Sequence, residues 1–247
     1  MFKDHFSKTA SSYARFRPRY PAALFEWLAG VAPGHALAWD AGTGNGQAAA
    51  ALAKHFDRVI ATDPSAEQIA NAAPHARVTY RVARAESSAV ATGSCDLVTA
   101  AQALHWFDPP VFFAEANRAL RPGGVVAVWV YIDPHLVEPD VSAAFRDYAE
   151  RIHPYWPPER AMTDDGYRSL AFPFDELNAP AFEMELVVTL EDCVGYLRTW
   201  SSTQRYLQRH GHDPVDEAER QLAQTWPRGE RRTLRWPLHV RAGVRRP

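Results

Sequence analysis

Two cysteines in 247 residues are too few for a framework of disulfide bonds. Cys95 and Cys193 lie far apart, and the ten histidines show no spacing typical of a metal site. No apolar run approaches the length of a membrane helix, and the polar residues 1–5 lack the apolar segment of a secretion signal. These absences predict a cytoplasmic protein with buried thiols, no metal and no membrane partner.

The chain also lacks a strong excess of either charge. Its 27 basic and 29 acidic residues give a net charge of −2. Proteins that bind nucleic acids usually carry a basic surface, so this balance argues against a nucleic-acid partner. The arginines between positions 228 and 246 are a local excess, which we interpret as a solvated face.

The composition that remains, 47% hydrophobic and 23% charged, is ordinary for a globular protein, and the length suits one large domain. Short apolar segments alternate with helical patterns up to residue 131. The predicted strands cover residues 36–40, 58–62, 78–82, 96–101 and 125–131. Strands that alternate with helices predict a mainly parallel sheet with helices on both faces, an α/β fold.

After residue 133 the composition changes to a segment rich in proline and aromatic residues, which predicts a helical cap insertion over 134–180. Residues 181–247 are predicted to add a strand at 182–190, helices at 191–208 and 214–225, and a strand at 234–244. Proline is poorly tolerated inside a sheet, so we expect pairing of the last strand to begin after Pro237 or at a bulge.

A turn with three glycines follows the first predicted strand, because residues 40–46 read Asp-Ala-Gly-Thr-Gly-Asn-Gly. The dinucleotide fingerprint G-x-G-x-x-G, counted from Gly42, would need a glycine where Gln47 stands. Asp40 would also repel a pyrophosphate, whereas it suits a ligand that carries an ammonium group. The turn therefore predicts a nucleoside-type ligand other than NAD.

A second acid ends the second predicted strand, about 20 residues beyond the turn. A carboxylate in this place binds ribose hydroxyls in nucleotide-binding α/β proteins. We therefore interpret Asp63 as a ribose ligand, in preference to a helix N-cap.

The glycine turn resembles the first motif of the class I S-adenosylmethionine-dependent methyltransferases. Further residues are similar to the type 11 group of that family and its trans-aconitate methyltransferase-like branch. They are the Gln-Ala-Leu-His-Trp element at 102–106, the aromatic pattern from Phe6 through Tyr13 to Tyr20, and residues 196–202. The resemblance implies a Rossmann-like seven-stranded sheet with one antiparallel strand, helices on both faces and a helical cap insertion. It also implies S-adenosyl-L-methionine as the cofactor.

The resemblance assigns cofactor contacts to residues of the lid, the glycine turn and the next three strand ends. They are Tyr13, Asp40, Gly42, Thr43, Gly44, Gly46, Asp63, Pro64, Ser65, Ala85, Glu86 and Gln102. Asp40 would orient the turn and the ammonium group, the main chain of Ala85 is a better adenine contact than the side chain of Glu86, and Gln102 would meet the methionyl end. Gln68 stands where many relatives have a methionine against adenine, so that contact is open.

The catalytic candidate is His105, as a general base or as a hydrogen-bonded histidine that shapes the pocket. Trp106 and Phe107 are interpreted as pocket wall or core, with a cation–π cage around the sulfonium as the alternative. The predicted substrate side consists of Tyr155, Trp156, Trp200 and Tyr206, with Arg198, Arg205 or Arg241 as the partner of a carboxylate substrate.

We therefore expect one methyltransferase domain over residues 1–247. Its parts are an N-terminal lid and helix at 1–30, a cofactor-binding core at 35–131, the cap at 134–180 and a C-terminal half at 181–247. The expected reaction is in-line methyl transfer to a small molecule, with carboxylates as one class, by a monomer or dimer. The alternatives are a non-catalytic protein that binds S-adenosylmethionine and an oxidoreductase with a nucleotide cofactor.

Overall fold

The computed structural model describes residues 18–246, which form two compact units. Within this range, the larger unit comprises residues 20–132, 161–182 and 237–246. The smaller unit comprises residues 18–19, 133–160 and 183–236. Tyr13 and most of the predicted lid lie outside the described residues. The division into lid, core, cap and C-terminal half stays a prediction.

The described residues form nine strands and eight α-helices. The strands are β1 (Leu37–Ala41), β2 (Arg58–Asp63), β3 (Val78–Val82), β4 (Cys95–Ala101), β5 (Leu120–Tyr131), β6 (His135–Leu136), β7 (Asp175–Leu177), β8 (Phe182–Val188) and β9 (Arg232–Val244). The helices are α1 (Ala22–Val31), α2 (Gln47–Leu52), α3 (Ala66–Ala70), α4 (Pro109–Ala119), α5 (Pro139–Ile152), α6 (Leu190–Arg198), α7 (Ser201–His210) and α8 (Val215–Leu222).

The larger unit contains a sheet in the order β3-β2-β1-β4-β5, in which every neighbouring pair is parallel. The last part of β9 adds to β5 in the antiparallel sense, and β7 pairs antiparallel with β9. This arrangement confirms the predicted α/β fold with a mainly parallel sheet. The predicted count of seven strands is too low, because β6 and β7 have only two and three residues and show no detectable periodicity.

The central strands are buried on both sides, as expected for parallel strands covered by helices. All five residues of β1 are buried, and β5 is buried from residue 124 to 131. Trp39 packs against Phe112 of α4, with ring centroids 6.2 Å apart. Trp129 points to the opposite face from Val128 and packs against Phe25 of α1, also at 6.2 Å. Helices therefore cover both faces of the sheet.

The strand order reverses between β1 and β4. In such sheets the space outside the carboxyl ends of the strands at the reversal is the usual ligand site. The glycine turn follows β1, and the 102–106 element follows β4, so the fold places both sequence motifs at this point.

In the smaller unit, β6 pairs with the first part of β9. Strand β8 also pairs with β9. Pro237 lies between the residues of β9 that pair with β6 and those that pair with β5, and pairing with β5 begins at Leu238. Pro237 therefore lies outside the residues that pair with β5 and β6, where its missing N–H removes no hydrogen bond from either ladder.

The predicted single helix at 191–208 is wrong, because α6 and α7 are separate helices. Trp200 between them has an extended backbone, with φ −68° and ψ 135°. The hydroxyl of Thr199 donates to the carbonyl of Tyr196 at 2.6 Å, and that of Thr203 donates to the carbonyl of Leu197 at 2.7 Å. These side chains satisfy the last carbonyls of α6, which allows the helix to end there.

Within residues 18–246, no helix is both long enough and apolar enough to cross a membrane.

Candidate active site

The three glycines of the turn all have positive φ, and they differ in what surrounds them. A Cβ atom on Gly42 would lie 2.7 Å from the Cβ of Ala103 and 2.8 Å from the ring of Phe107. A Cβ on Gly46 would collide with the hydroxyl of Tyr80. At Gly44 the nearest atom would be Oε1 of Gln68, 3.9 Å away. Gly42 and Gly46 are therefore required by packing, whereas Gly44 borders open space that a ligand can approach.

The contact of Gly42 with Ala103 and Phe107 also joins the two sequence motifs. The segment after β4 packs directly on the glycine turn after β1. Phe107 packs on Phe112 as well, with ring centroids 5.0 Å apart, so this ring belongs to the core beneath the site. Trp106 is 41% exposed.

Asp40 is completely buried at the end of β1. Its carboxylate accepts hydrogen bonds from the hydroxyl of Thr43 at 2.6 Å and from that of Thr99 at 2.7 Å. Burial raises its pKa to about 6, although both hydrogen bonds act in the opposite direction. Asp40 thus fixes the start of the turn and links it to β4, while its predicted contact with an ammonium group stays a prediction.

Asp63 at the end of β2 supports the turn from the other side. Its two oxygens accept the main-chain N–H groups of Gly44 and Ser65, each at 2.9 Å. Burial raises its pKa, and these two N–H groups act against the rise. A carboxylate has about four acceptor sites, so Asp63 keeps capacity for ribose hydroxyls while it holds Gly44 in place.

The residues after Asp63 form the start of α3. Pro64 is exposed, and the hydroxyl of Ser65 accepts the N–H of Gln68 at 3.2 Å as an N-cap. Ser65 therefore has a structural role besides its predicted ligand contact. Among the described residues, Oε1 of Gln68 is the atom that comes closest to the open side of Gly44.

Ala85 and Glu86 follow β3, and the structure gives them different tasks. Ala85 is buried, whereas Oε1 of Glu86 accepts the N–H of Asp108 at 3.0 Å. Burial acts to raise the pKa of Glu86, but this bond and the nearby Arg84 outweigh it and lower the pKa. The side chain of Glu86 thus anchors the start of α4, and the adenine contact of the main chain of Ala85 stays a prediction.

Gln102 has a left-handed backbone, with φ 53°, which is uncommon outside glycine. Its side-chain amide donates to the carbonyl of Tyr131 at 3.0 Å and accepts the N–H of Tyr131 at 2.8 Å. Gln102 therefore continues the pairing of β4 with β5 by a side chain. A strained residue held in this way is typical of a functional site, and its predicted contact with the methionyl group stays a prediction.

His105 lies in a single 3₁₀ turn, Leu104–Trp106, where it makes a contact that sequence reasoning missed. Its Nδ1 is 2.8 Å from the hydroxyl of Tyr167, a fully buried residue with φ 66°. Burial raises the pKa of Tyr167, and a hydrogen bond from the main chain of His105 offsets only part of the rise. Tyr167 therefore remains a neutral phenol. Gly166, which directly precedes Tyr167, is the feature of the sequence that could have indicated an unusual backbone at this position.

Two of the three predicted arginines already pair within their own units. Arg241 donates to the carbonyls of Tyr167 at 2.6 Å and Leu170 at 2.9 Å, and pairs with Glu176 at 3.0 Å. It therefore fastens the segment that carries Tyr167. The other pairs are Arg198 with Asp213, Asp216 and Glu219. In the part of the chain that the structure describes, Arg205 makes no hydrogen bond or ion pair.

The predicted substrate-side aromatics all lie in the smaller unit and pack in pairs. Trp156 and Trp200 have ring centroids 5.6 Å apart, and Tyr155 and Tyr206 are 4.9 Å apart. Their contact with substrate stays a prediction. Among residues 18–246, no group of three or more His, Cys, Asp or Glu side chains is arranged to hold a metal ion.

Comparison with known proteins agrees with this geometry. Residues 39–128 match the sequence family described as a methyltransferase domain. A Dictyostelium discoideum protein described as a methyltransferase is 33% identical over 233 residues, which covers 91% of this chain and 87% of that protein.

Solved structures agree as well. A protein from Anaeromyxobacter dehalogenans, described as a type II methyltransferase, is 44% identical with a TM-score of 0.89, over 94% of this chain and 99% of that chain. A Bacillus halodurans protein described as a methyltransferase has 21% identity and a TM-score of 0.52, over 92% of this chain and 99% of that one, and shows the shared fold alone.

Three features fit the cofactor of that family: the buried Asp40, the open side of Gly44 and the carboxylate of Asp63 at the end of β2. Taken with the relatives, they give a clear assignment: the chain belongs to the class I S-adenosylmethionine-dependent methyltransferases, and S-adenosylmethionine is its cofactor.

Proposed function

We propose that this enzyme transfers the methyl group to an oxygen of a small-molecule carboxylate, as the resemblance to the trans-aconitate methyltransferase-like branch suggests. One observation carries the proposal. The 102–106 element that holds His105 packs against Gly42 of the cofactor turn, through Ala103. A polar imidazole thus lies at the same sheet edge as the glycine turn.

The cofactor side is assigned to the turn and the three strand ends. Asp63 would bind the ribose, the open face of Gly44 would admit the methionyl chain, and Asp40 would orient the turn. Pro64, Ser65 and the main chain of Ala85 would border the adenine and ribose. Thr43 supports Asp40, so its hydroxyl acts on the cofactor through that carboxylate.

On the acceptor side, a carboxylate needs a cationic or hydrogen-bonding partner when it leaves water. Of the three arginines proposed for this role, Arg198 and Arg241 already bind acids. Arg205 makes no such pair among the described residues, and its contact with a carboxylate substrate stays a prediction.

Bound S-adenosylmethionine supplies a methyl group activated by a positively charged sulfur. The protein's contribution is to hold the acceptor oxygen in line with the carbon–sulfur bond, which converts a bimolecular encounter into an oriented one. The glycine turn fixes one partner, and the 102–106 element is proposed to fix the other. A carboxylate oxygen is already ionised at neutral pH, so no proton has to be removed.

The test is a turnover assay with methyl-deuterated S-adenosylmethionine and matched acceptors. Benzoate, phenol and benzylamine form one set, and trans-aconitate, cis-aconitate and citrate form another, with products detected by mass spectrometry. We expect base-labile methyl esters from carboxylates only. Labelled phenol or benzylamine without any ester would overturn the carboxylate assignment, and the Asp40→Ala variant gives the background rate.

The turnover assay, combined with a binding measurement, addresses the alternative of a non-catalytic protein that binds S-adenosylmethionine. Titration with S-adenosylhomocysteine measures binding independently of turnover. Tight binding together with ester formation supports the proposed function, whereas the absence of binding would remove its basis. The cytoplasmic location and the choice between monomer and dimer stay predictions.

A further inference from the structure

The first turn of α7, in the smaller unit, has no capping side chain and no acidic residue. The first N–H that bonds within this helix is that of Gln204, which donates to the carbonyl of Trp200 at 3.1 Å. The N–H groups of residues 201–203 therefore point out of the helix end, where the helix dipole is positive. Such an end favours an anionic group, although it does not by itself make a binding site.

Ser202, the second residue of α7, gives an independent sign of a ligand at this end. Its side chain is completely buried, and its hydroxyl has no hydrogen-bond partner among the described residues. Because the Cα–Cβ bonds of a helix tilt toward its N-terminus, this hydroxyl points toward the open end of α7. A buried hydroxyl without a partner is costly, so this position favours a bound group that completes its hydrogen bonds.

The next residue of the helix shows what a structural hydroxyl looks like here. Thr203 is also buried, but its hydroxyl donates to the carbonyl of Leu197 at 2.7 Å and lies 2.6 Å from the hydroxyl of Tyr148. Thr203 thus joins α7 to α6 and α5. Two adjacent buried hydroxyls therefore differ in their bonding, and that of Ser202 is the one available to a ligand.

A second donor lies beside the helix end. The indole of Trp156 packs on that of Trp200, the residue directly before α7, with ring centroids 5.6 Å apart. Nε1 of Trp156 is buried and has no hydrogen-bond partner within residues 18–246. The guanidinium of Arg160 stacks on the Trp156 ring at 3.7 Å and pairs with Asp133 at 2.9 Å, so its charge is neutralised within the smaller unit.

The spacing along α7 directs Ser202 toward the segment that carries Trp156. Tyr206 follows Ser202 by four residues, so the two side chains lie on one face of the helix. Tyr206 packs on Tyr155, with ring centroids 4.9 Å apart, and Trp156 is the next residue of the chain. The hydroxyl of Ser202 and the indole N–H of Trp156 therefore belong to the same side of α7, at its N-terminal end.

Every group gathered at this end can donate a hydrogen bond, and an indole N–H can only donate. We propose that the N-terminus of α7 is a carboxylate-binding site, in which the hydroxyl of Ser202 and the indole N–H of Trp156 donate to the carboxylate oxygens of a small molecule. Because Arg160 is neutralised by Asp133, the site suits a singly charged group better than a phosphate dianion. The carboxylate belongs either to the methyl acceptor or to a separate small molecule, and only the first assignment rests on the proposed function.

The indole N–H resonance of Trp156 reports binding directly in the full-length protein with bound S-adenosylhomocysteine. It is assigned by its loss in Trp156→Phe. Trp226, whose indole N–H donates to the carbonyl of Glu230 at 3.0 Å, is the internal reference. The probes are trans-aconitate and benzoate, with methyl benzoate as the neutral counterpart and inorganic phosphate as the competing anion. We expect the carboxylates to move the Trp156 resonance downfield and to leave that of Trp226 unchanged, because a charged acceptor makes the stronger hydrogen bond.

Three results of this titration would overturn the proposal. They are a Trp156 resonance that moves with neither carboxylate, one that moves with phosphate and not with carboxylates, and one that moves equally with methyl benzoate. Since no turnover is involved, each of these results would leave the proposed function standing.

Ser202→Ala separates a ligand donor from a structural hydroxyl. We expect the Kd of trans-aconitate to rise about tenfold, because a hydrogen bond to a charged group is lost. The melting temperature should stay equal or rise. The matched control is Thr203→Val, which should lower the melting temperature by about 2–6 °C and leave the Kd within about threefold. Unchanged binding in Ser202→Ala, or a lower melting temperature without weaker binding, would overturn the assignment of Ser202.

Initial rates distinguish the two sources of the carboxylate, with trans-aconitate or the carboxylate of the acceptor panel that reacts fastest. If the site holds the acceptor, Ser202→Ala and Trp156→Phe should each raise KM about tenfold and leave kcat within about threefold. An unchanged KM together with a weaker Kd would assign the site to a separate carboxylate that is not methylated. If no carboxylate is methylated, the proposed function fails, and the titration of the Trp156 resonance still decides the site.

Discussion

Two regions of the larger unit carry the candidate site, and they are held in place differently. The glycine turn is fixed by two buried carboxylates, and most of their partners are within three residues of the turn or of the acid itself. The segment at 161–182, which carries Tyr167, is fastened to β9 by the pairing of β7 and by Arg241, which lies more than 70 residues after Tyr167 in the chain. The turn is thus a local device, whereas the segment depends on a distant anchor.

This difference predicts a separation of tasks. Because the turn is fixed by its own strands, changes there should remove cofactor binding and leave the acceptor side intact. Because the segment is fastened separately, changes there should spare cofactor binding and affect the acceptor step. The following variants test the separation, from the largest expected effect to the smallest.

The largest effect is expected for Gly44→Val. A side chain at Gly44 enters the open space that borders the turn, and a β-branched residue is strained at φ 56°. We expect no measurable binding of S-adenosylhomocysteine in titration calorimetry and a loss of about 1–2 kcal/mol of stability.

Gly93→Val is the matched control for that variant. Gly93 has φ 63°, and a Cβ there would meet no atom within 4 Å, so this substitution introduces similar strain away from the site. It should cost similar stability and leave binding unchanged. If Gly93→Val also abolished binding, strain alone would explain the result, and Gly44 would lose its assignment.

Asp40→Ala should also abolish binding, because it removes the acceptor for both Thr43 and Thr99. The turn then loses its link to β4, and two buried hydroxyls lose a partner. Asp40→Asn keeps the shape of the side chain and removes its charge, so a comparison of the two variants separates the effect of shape from that of charge. Binding that survives in both variants would show that the acid is not required, and calorimetry with S-adenosylhomocysteine measures both.

Much of the turn was predictable from sequence, since its glycines and both acids lie within 24 residues and each contact follows from strand order. The role of Glu86 as an anchor for Asp108 was not, because the choice between solvent and the N–H of another segment depends on how α4 packs. Tyr167 was missed for the same reason. It lies 62 residues from His105, and no periodicity links the two positions.

A smaller effect is expected from pH. Burial raises the pKa of Asp40 to about 6, so the side chain is mostly protonated at pH 5 and mostly ionised at pH 7. If the ionised form binds the ammonium group, cofactor affinity rises with pH through about 6, and at pH 5 it should be about tenfold weaker than at pH 7.

Asp40→Asn should remove this dependence in calorimetry at both pH values, provided that it still binds. An affinity of the parent that is flat between pH 5 and pH 7 would confine Asp40 to its bonds with Thr43 and Thr99. The measurement thus separates the two roles predicted for this acid.

The smallest effect, and the one that most sharpens the comparison, is expected for Arg241→Gln. The variant loses the ion pair with Glu176 and loosens the carbonyls of Tyr167 and Leu170, so hydrogen exchange in residues 161–182 should accelerate. We expect kcat/KM to fall about threefold to fivefold, because Tyr167 holds His105 for less of the time, while binding of S-adenosylhomocysteine stays unchanged. Arg246→Gln is the control. Arg246 forms an ion pair with Asp175, which lies on β7 next to Glu176, and an exposed pair of this kind contributes little to stability. A loss of cofactor affinity in Arg241→Gln would show that the two regions are coupled, and the separation of tasks would not hold.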